Sequence, residues 1–175
     1  MQRRLAVLAF TAIVVAAGCE AQPQPTASTS TVTSAISTPA PSSQACDLLP
    51  ADAVAEAAGV SSATATPSSQ GTFVSCQYAL VTVDGAGATL YLDVSADRGP
   101  QVYSAAIAGG GFAAVTGVGE QAAYSAKTGR FITQAGPVFV GVTLPTSLTG
   151  SSLATAADTK TVGETLVTKV LLALD

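Results

Sequence analysis

Phe73-Val74-Ser75-Cys76-Gln77-Tyr78-Ala79-Leu80-Val81 is the stretch from which the fold can be read. Successive side chains of a strand point to opposite faces, so Val74, Cys76, Tyr78 and Leu80 line one face. That face is apolar and predicts burial. Asp84-Gly85-Ala86-Gly87 follows as a hairpin turn signal. The chain then returns through Thr89 to Ser95, with Leu90, Leu92 and Val94 inward and Tyr91, Asp93 and Ser95 outward.

Working outward, helices flank this hairpin. Leu49-Pro50-Ala51-Asp52 opens one helix with proline early and an acid in its first turn, and the pattern ends at Gly59. Gly99-Pro100 opens a second, over Gln101 to Ala108, closed by Gly109-Gly110-Gly111. Three further strands are expected over Ala122–Ala126, Arg130–Gln134 and Val138–Leu144, with turns at Lys127-Thr128-Gly129 and Ala135-Gly136-Pro137. The tail from Ser152 to Leu174 reads as helix, with Leu166, Val167, Val170, Leu171 and Leu174 as its apolar stripe. Gly163 predicts a break in it, and Thr161 with Glu164 would cap the second half. The expected fold is α+β: an antiparallel sheet packed by helices on one face, in one disulfide-bridged domain. The order of elements suggests a helix-plus-meander duplication, without a sequence repeat to support it.

Three parts are expected along the chain: residues 1–18, 19–45 and 46–175. In the first, Arg3-Arg4 precedes fourteen residues, Leu5 to Gly18, whose one polar member is Thr11. A membrane-spanning helix needs about 20 apolar residues and a signal peptide core about 7–15, so length favours a cleaved signal. The two arginines keep the start of the chain on the cytoplasmic side. Ala16-Ala17-Gly18-Cys19 resembles a lipobox, although Ala16 stands where leucine is commonest. That resemblance implies cleavage before Cys19 and a thioether to diacylglycerol there. The alternative is an ordinary secretory signal that leaves Cys19 a free thiol.

Glu20 to Gln44 holds eleven Ser or Thr and four Pro, with Val32 and Ile36 as its large apolar residues. Such a segment buries too little surface to offset its ordering entropy and reads as a disordered tether. Its composition also suits O-glycosylation.

From Cys46 onward five basic residues stand against ten acidic ones, leaving −5, with no basic cluster. Nucleic-acid binding requires a basic footprint and is excluded. The chain has no His, which removes the commonest general base and the commonest metal ligand. No cofactor or metal site is expected. After Cys19, the cysteines are Cys46 and Cys76. In an oxidising compartment an even count reads as a disulfide. A redox pair is the other reading, but such pairs are usually closer, as in C-x-x-C.

Chemistry-bearing groups are few. Gly117-Val118-Gly119-Glu120 could be a phosphate loop, but lacks the flanking strand, helix and Lys or Ser/Thr; a turn held by Glu120 is the simpler reading. Asp93 and Asp97 could pair for glycoside hydrolysis, or merely face solvent. Serines are plentiful, but no Gly-x-Ser-x-Gly occurs; a Ser–Lys pair with Lys127, Lys160 or Lys169 has no motif behind it. Tyr91, Tyr103, Tyr124 and Phe112 could line a groove or fill the core.

Several landmarks in order resemble a family of actinobacterial, especially mycobacterial, lipoproteins of unknown function. They are Cys46-Asp47-Leu48-Leu49-Pro50, Ala58-Gly59-Val60, Ser75-Cys76-Gln77-Tyr78, Gly117-Val118-Gly119-Glu120-Gln121-Ala122 and Val170-Leu171-Leu172-Ala173-Leu174. Tyr78 stands where the family often has Trp. More loosely, the layout is similar to extracellular sensor domains of mycobacterial Ser/Thr kinases. The resemblance implies export, a Cys46–Cys76 bridge and anchoring through Cys19 to the outer face of the cytoplasmic membrane. It implies no reaction. The expectation is a non-enzymatic binding or interaction module at the cell envelope, its partners a membrane lipid through Cys19 and an envelope lipid, glycan or protein. The alternative is a cell-wall-acting hydrolase or transferase using carboxylates or a Ser–Lys pair.

Overall fold

The computed structural model describes residues 41–175. The expected signal peptide, Cys19 and nearly all of the expected tether lie outside these residues. No described helix is long and apolar enough to cross a membrane.

Seven strands form one antiparallel sheet in the order β1-β2-β3-β7-β6-β5-β4. They are β1 (Ser62–Gln70), β2 (Phe73–Val81), β3 (Gly87–Ser95), β4 (Ala113–Val115), β5 (Gln121–Ser125), β6 (Arg130–Ala135) and β7 (Val138–Thr143). The helices are α1 (Pro41–Leu48), α2 (Ala51–Ala58), α3 (Gly99–Ala108) and α4 (Ala156–Leu174). Two meanders each run from an edge strand inward and meet where β3 pairs with β7, Tyr91 opposite Thr143 and Ser95 opposite Phe139.

The α+β fold with helices against an antiparallel sheet is as expected, and the β2–β3 hairpin has the expected faces. Leu80 pairs with Ala88 and Tyr78 with Leu90 across it. Cys76, Tyr78, Leu80, Leu90, Leu92 and Val94 are all buried. They form one core with Val140 and Val142 of β7 and with Leu166, Val167 and Val170 of α4. α1, α2 and α4 supply the helical layer over this face.

α3 is different. Tyr103 packs with Ala123, Ile132 and Phe139, the residues of β5, β6 and β7 that point the other way. α3 therefore lies on the opposite face, over the β5–β7 half. A duplicated unit around a two-fold through the β3–β7 pair would put α2 and α3 on the same face, so the expected duplication is not in the fold.

Two helices depart from the sequence reading, which also predicts no strand at β1 or β4. α1 begins at Pro41, inside the expected tether, and spans the boundary expected at Cys46. Within it Ala45 is fully buried, as is Leu49 just past its end. α4 is continuous, with no break at Gly163. Its capping box is Thr155 with Asp158: the Asp158 N–H donates to Thr155 Oγ1 at 3.2 Å and the Thr155 N–H to Asp158 Oδ2 at 3.1 Å. Gly163 serves another purpose. A Cβ there would lie 2.9 Å from Cβ of Phe131, so glycine lets α4 approach the sheet.

Cys46 and Cys76 form a disulfide, with Cα atoms 5.1 Å apart. It ties α1 to the buried face of β2. Nearby, the buried Tyr78 hydroxyl donates to the Leu49 carbonyl at 2.6 Å. The hydroxyl thus satisfies a main-chain acceptor at the α1–α2 junction that could not reach water.

Candidate functional site

α3 covers half of the second sheet face. Among the described residues, no helix covers the other half, formed by β1, β2, β3 and part of β7. Pairing places one row of side chains across it: Thr66 opposite Gln77, Gln77 opposite Tyr91, Tyr91 opposite Thr143, and Thr143 opposite Arg130. Adjacent strands lie about 4.8 Å apart, so this row is roughly 19 Å long.

The next row runs Ser68, Ser75, Asp93, Gly141 and Ile132. Here the charges meet. Arg130 Nη2 lies 3.5 Å from Asp93 Oδ2, with side chains 35% and 21% exposed. The buried Ser75 hydroxyl donates to Asp93 Oδ1 at 2.8 Å. Arg130 Nε is shut off from solvent and has no hydrogen-bond partner. Arg130 stands on β6 and Asp93 on β3, with β7 between them. A Cβ on Gly141 of β7 would lie 3.5 Å from Arg130 Nη2; glycine leaves the crossing clear.

Tyr91 stands beside this pair, 38% exposed. It is the one aromatic among the four named from sequence that reaches this surface. Tyr103 stands on the sheet-facing side of α3, buried, and Phe112 packs beside it. Tyr124 is buried, and its hydroxyl donates to the Ala156 carbonyl at 3.1 Å. Burial pushes the phenols of Tyr78, Tyr103 and Tyr124 above their ordinary pKa.

The remaining sequence candidates do not converge. Asp97 accepts a 3.5 Å hydrogen bond from Ser95, while Asp93 is held by Ser75 and Arg130, so the two aspartates have separate partners. Glu120 accepts from the Gly136 N–H at 3.1 Å and from Gln134 Nε2 at 2.9 Å, locking a turn against the β6–β7 hairpin. Strand β5, not a helix, follows that turn, and a Cβ on Gly119 would meet Thr133 Oγ1 at 2.5 Å. The segment is a packed turn, not an anion cradle. Among the described residues no serine is hydrogen-bonded to a lysine, and no group of three His, Cys, Asp or Glu could hold a metal.

Clefts also lie elsewhere among the described residues. One, of about 500 Å³, runs between α2 and α4 past Glu56, Asp158, Thr161 and Lys169. A second follows the outer face of α4 at Glu164 and Thr168. A third lies where Leu171 and Leu174 meet the Gly136-Pro137 turn. All are open to solvent, and none is an enclosed apolar cavity.

Arg130 and Ser75 are the residues that sequence reasoning missed. The partners of Asp93 sit 18 and 37 positions away along the chain, so local pattern does not join them. A signal existed: an Arg at the first position of one strand and an outward Asp on another. Their meeting depends on β7 inserting between them, which local pattern does not reveal. No family model, curated protein or solved structure matches the chain.

Proposed function

We propose that this protein is an exported envelope lipoprotein, anchored through Cys19 at the outer face of the cytoplasmic membrane, whose folded domain is a non-enzymatic binding module. The signal-like segment, the lipobox-like Ala16-Ala17-Gly18-Cys19 and the Ser/Thr/Pro-rich segment after it support export and anchoring. Two or more acyl chains are needed for stable anchoring, since each buried methylene contributes about 0.8 kcal/mol. The observation that carries the binding reading is the uncovered half of the sheet, with Tyr91 exposed beside the Ser75–Asp93–Arg130 network. Binding surfaces combine a few placed polar groups with an aromatic anchor.

Two measurements test this. Wild-type protein in an actinobacterial host should take up labelled palmitate and enter a detergent phase, and Cys19→Ala should do neither. Retention of label in Cys19→Ala rules out anchoring at that residue. Titrating isotope-labelled protein with envelope extract should shift resonances of β1–β3 and β7. Shifts confined to the α2–α4 cleft would move the site there.

A further inference from the structure

We infer that the open half of the sheet binds a neutral glycan, with Tyr91 as the platform for a sugar ring and Asp93 with Arg130 as the clamp for its hydroxyls. The inference rests on the reading of this face as the binding surface, and names its ligand class.

Asp93 and Arg130 are incompletely paired. An ionised Asp only accepts hydrogen bonds and an Arg only donates them. Strong charge-assisted bonds are about 2.7–2.9 Å long and often paired. Here the contact between them is single and spans 3.5 Å, and both side chains are partly exposed. The two groups thus stand side by side with hydrogen-bonding capacity unspent. A hydroxyl both donates and accepts, so of two neighbouring hydroxyls of a sugar one can donate a hydrogen bond to Asp93 while the other accepts one from Arg130. A simple anion would meet the Asp93 carboxylate beside the Arg130 charge. A simple cation would meet the reverse.

The surroundings agree. The face of an aromatic ring is electron-rich and attracts the weakly positive C–H groups of a sugar ring. Tyr91 offers such a ring one row from Asp93, between Gln77 and Thr143. Gln77 supplies an amide and Thr143 a hydroxyl for further hydroxyls. The row is roughly 19 Å long across five strands, which suits a short stretch of an extended glycan. Polynucleotides are disfavoured, because the domain carries −5 without a basic cluster. A protein partner would need a cluster of large apolar anchors; here the strand neighbours of Tyr91 are Gln77, Thr143, Thr89 and Asp93, and the exposed apolar residues beyond them are the small Ala79 and the more distant Val81.

The test uses the full chain in detergent micelles, titrated calorimetrically with neutral tetrasaccharides of glucose, mannose, galactose and N-acetylglucosamine, and with tetragalacturonate. At least one neutral tetrasaccharide should bind. Tyr91→Ala and Arg130→Ala should each weaken it about tenfold, the loss of one good contact. Gln77→Ala should weaken it less, and Lys127→Ala not at all. Circular dichroism melts identify a variant that fails to fold; Tyr91→Ala and Gln77→Ala then decide the matter. If no neutral tetrasaccharide binds, or tetragalacturonate binds in preference, the glycan class is wrong. The binding-face reading then stands or falls on the envelope-extract shifts. Neutral binding that survives both Tyr91→Ala and Arg130→Ala overturns the assignment to this face.

Discussion

Arg130 on β6 reaches Asp93 on β3 across an intervening strand, Nη2 to Oδ2 at 3.5 Å, and Gly141 lies between them. The contact joins the two meanders on the face opposite the main core. Both side chains are partly exposed, so its contribution to stability is small, within about 0–1 kcal/mol. Its use lies in fixing the orientation of two hydrogen-bonding groups next to Tyr91.

Gly141→Val tests the geometry of that crossing. A Cβ there would lie 3.2 Å from the Phe139 ring and 3.5 Å from Arg130 Nη2. The expected result is a loss of roughly 1–3 kcal/mol, the usual cost of overpacking, with the Arg130 guanidinium displaced. Chemical denaturation and the Arg130 side-chain NMR signals check this. An unchanged midpoint and unchanged Arg130 signals would show that the crossing has room to spare.

The Cys46–Cys76 bridge closes a loop with a sequence separation of 30. In the chain-entropy model that is about 3–4 kcal/mol. The double substitution Cys46→Ser with Cys76→Ser should lower Tm by roughly 10–15 °C in a domain of this size. Thermal melts measure it. Cys76 is fully buried and Cys46 partly so, so reduction of the bridge should be slower in the native protein than after unfolding.

How far the fold was legible depended on side-chain size. β2 and β3 carry large apolar residues in alternation, and their faces follow from that pattern. β6 and β7 instead carry apolar residues in succession, Phe131-Ile132 and Val138-Phe139-Val140, because helices bury both of their faces. β1 is Ser62-Ala63-Thr64-Ala65-Thr66-Pro67-Ser68-Ser69-Gln70, which has the alternation but only methyl-sized apolar groups. It also carries a proline, tolerated because β1 is an edge strand. β4 has three residues, too few to show a period. The face taken by α3 was illegible for another reason. Helix periodicity shows that one side is apolar, but not which side of a sheet it will meet. The site was half legible: Tyr91 and Asp93 were visible as outward residues, while Arg130 and Ser75 joined them only through the strand order.

Gly163 yields a prediction opposite in sign to helix propensity. Replacing an interior helical glycine with alanine ordinarily stabilises by about 1 kcal/mol. Here the added methyl would lie 2.9 Å from Phe131 Cβ and 3.2 Å from Leu144 Cδ1. Overpacking costs about 1–3 kcal/mol, which equals or exceeds the gain. Gly163→Ala should therefore be neutral to destabilising, and Gly163→Val more so. A stabilised Gly163→Ala in urea denaturation would mean that α4 can lift off the sheet without loss.

Tyr78 links the core to alkaline stability. Its hydroxyl is buried and donates to Leu49 O at 2.6 Å, and burial raises its pKa above the ordinary value near 10. The folded state therefore keeps this proton at a pH where the unfolded chain releases it. Stability from this group is fully present below about pH 10 and falls as pH rises above that, by up to about 1.4 kcal/mol per pH unit. Tyr103 and Tyr124 shift in the same direction and add to the fall. Tyr78→Phe removes one titrating group and one buried hydrogen bond. It should cost about 1–2 kcal/mol at pH 7, because the Leu49 carbonyl loses its side-chain donor. Between pH 10 and 11.5 its stability should decline less steeply than that of the wild type, so the two curves converge. Urea midpoints measured across that range for both proteins provide the check, and parallel curves would show that Tyr78 ionises no differently in the folded and unfolded states.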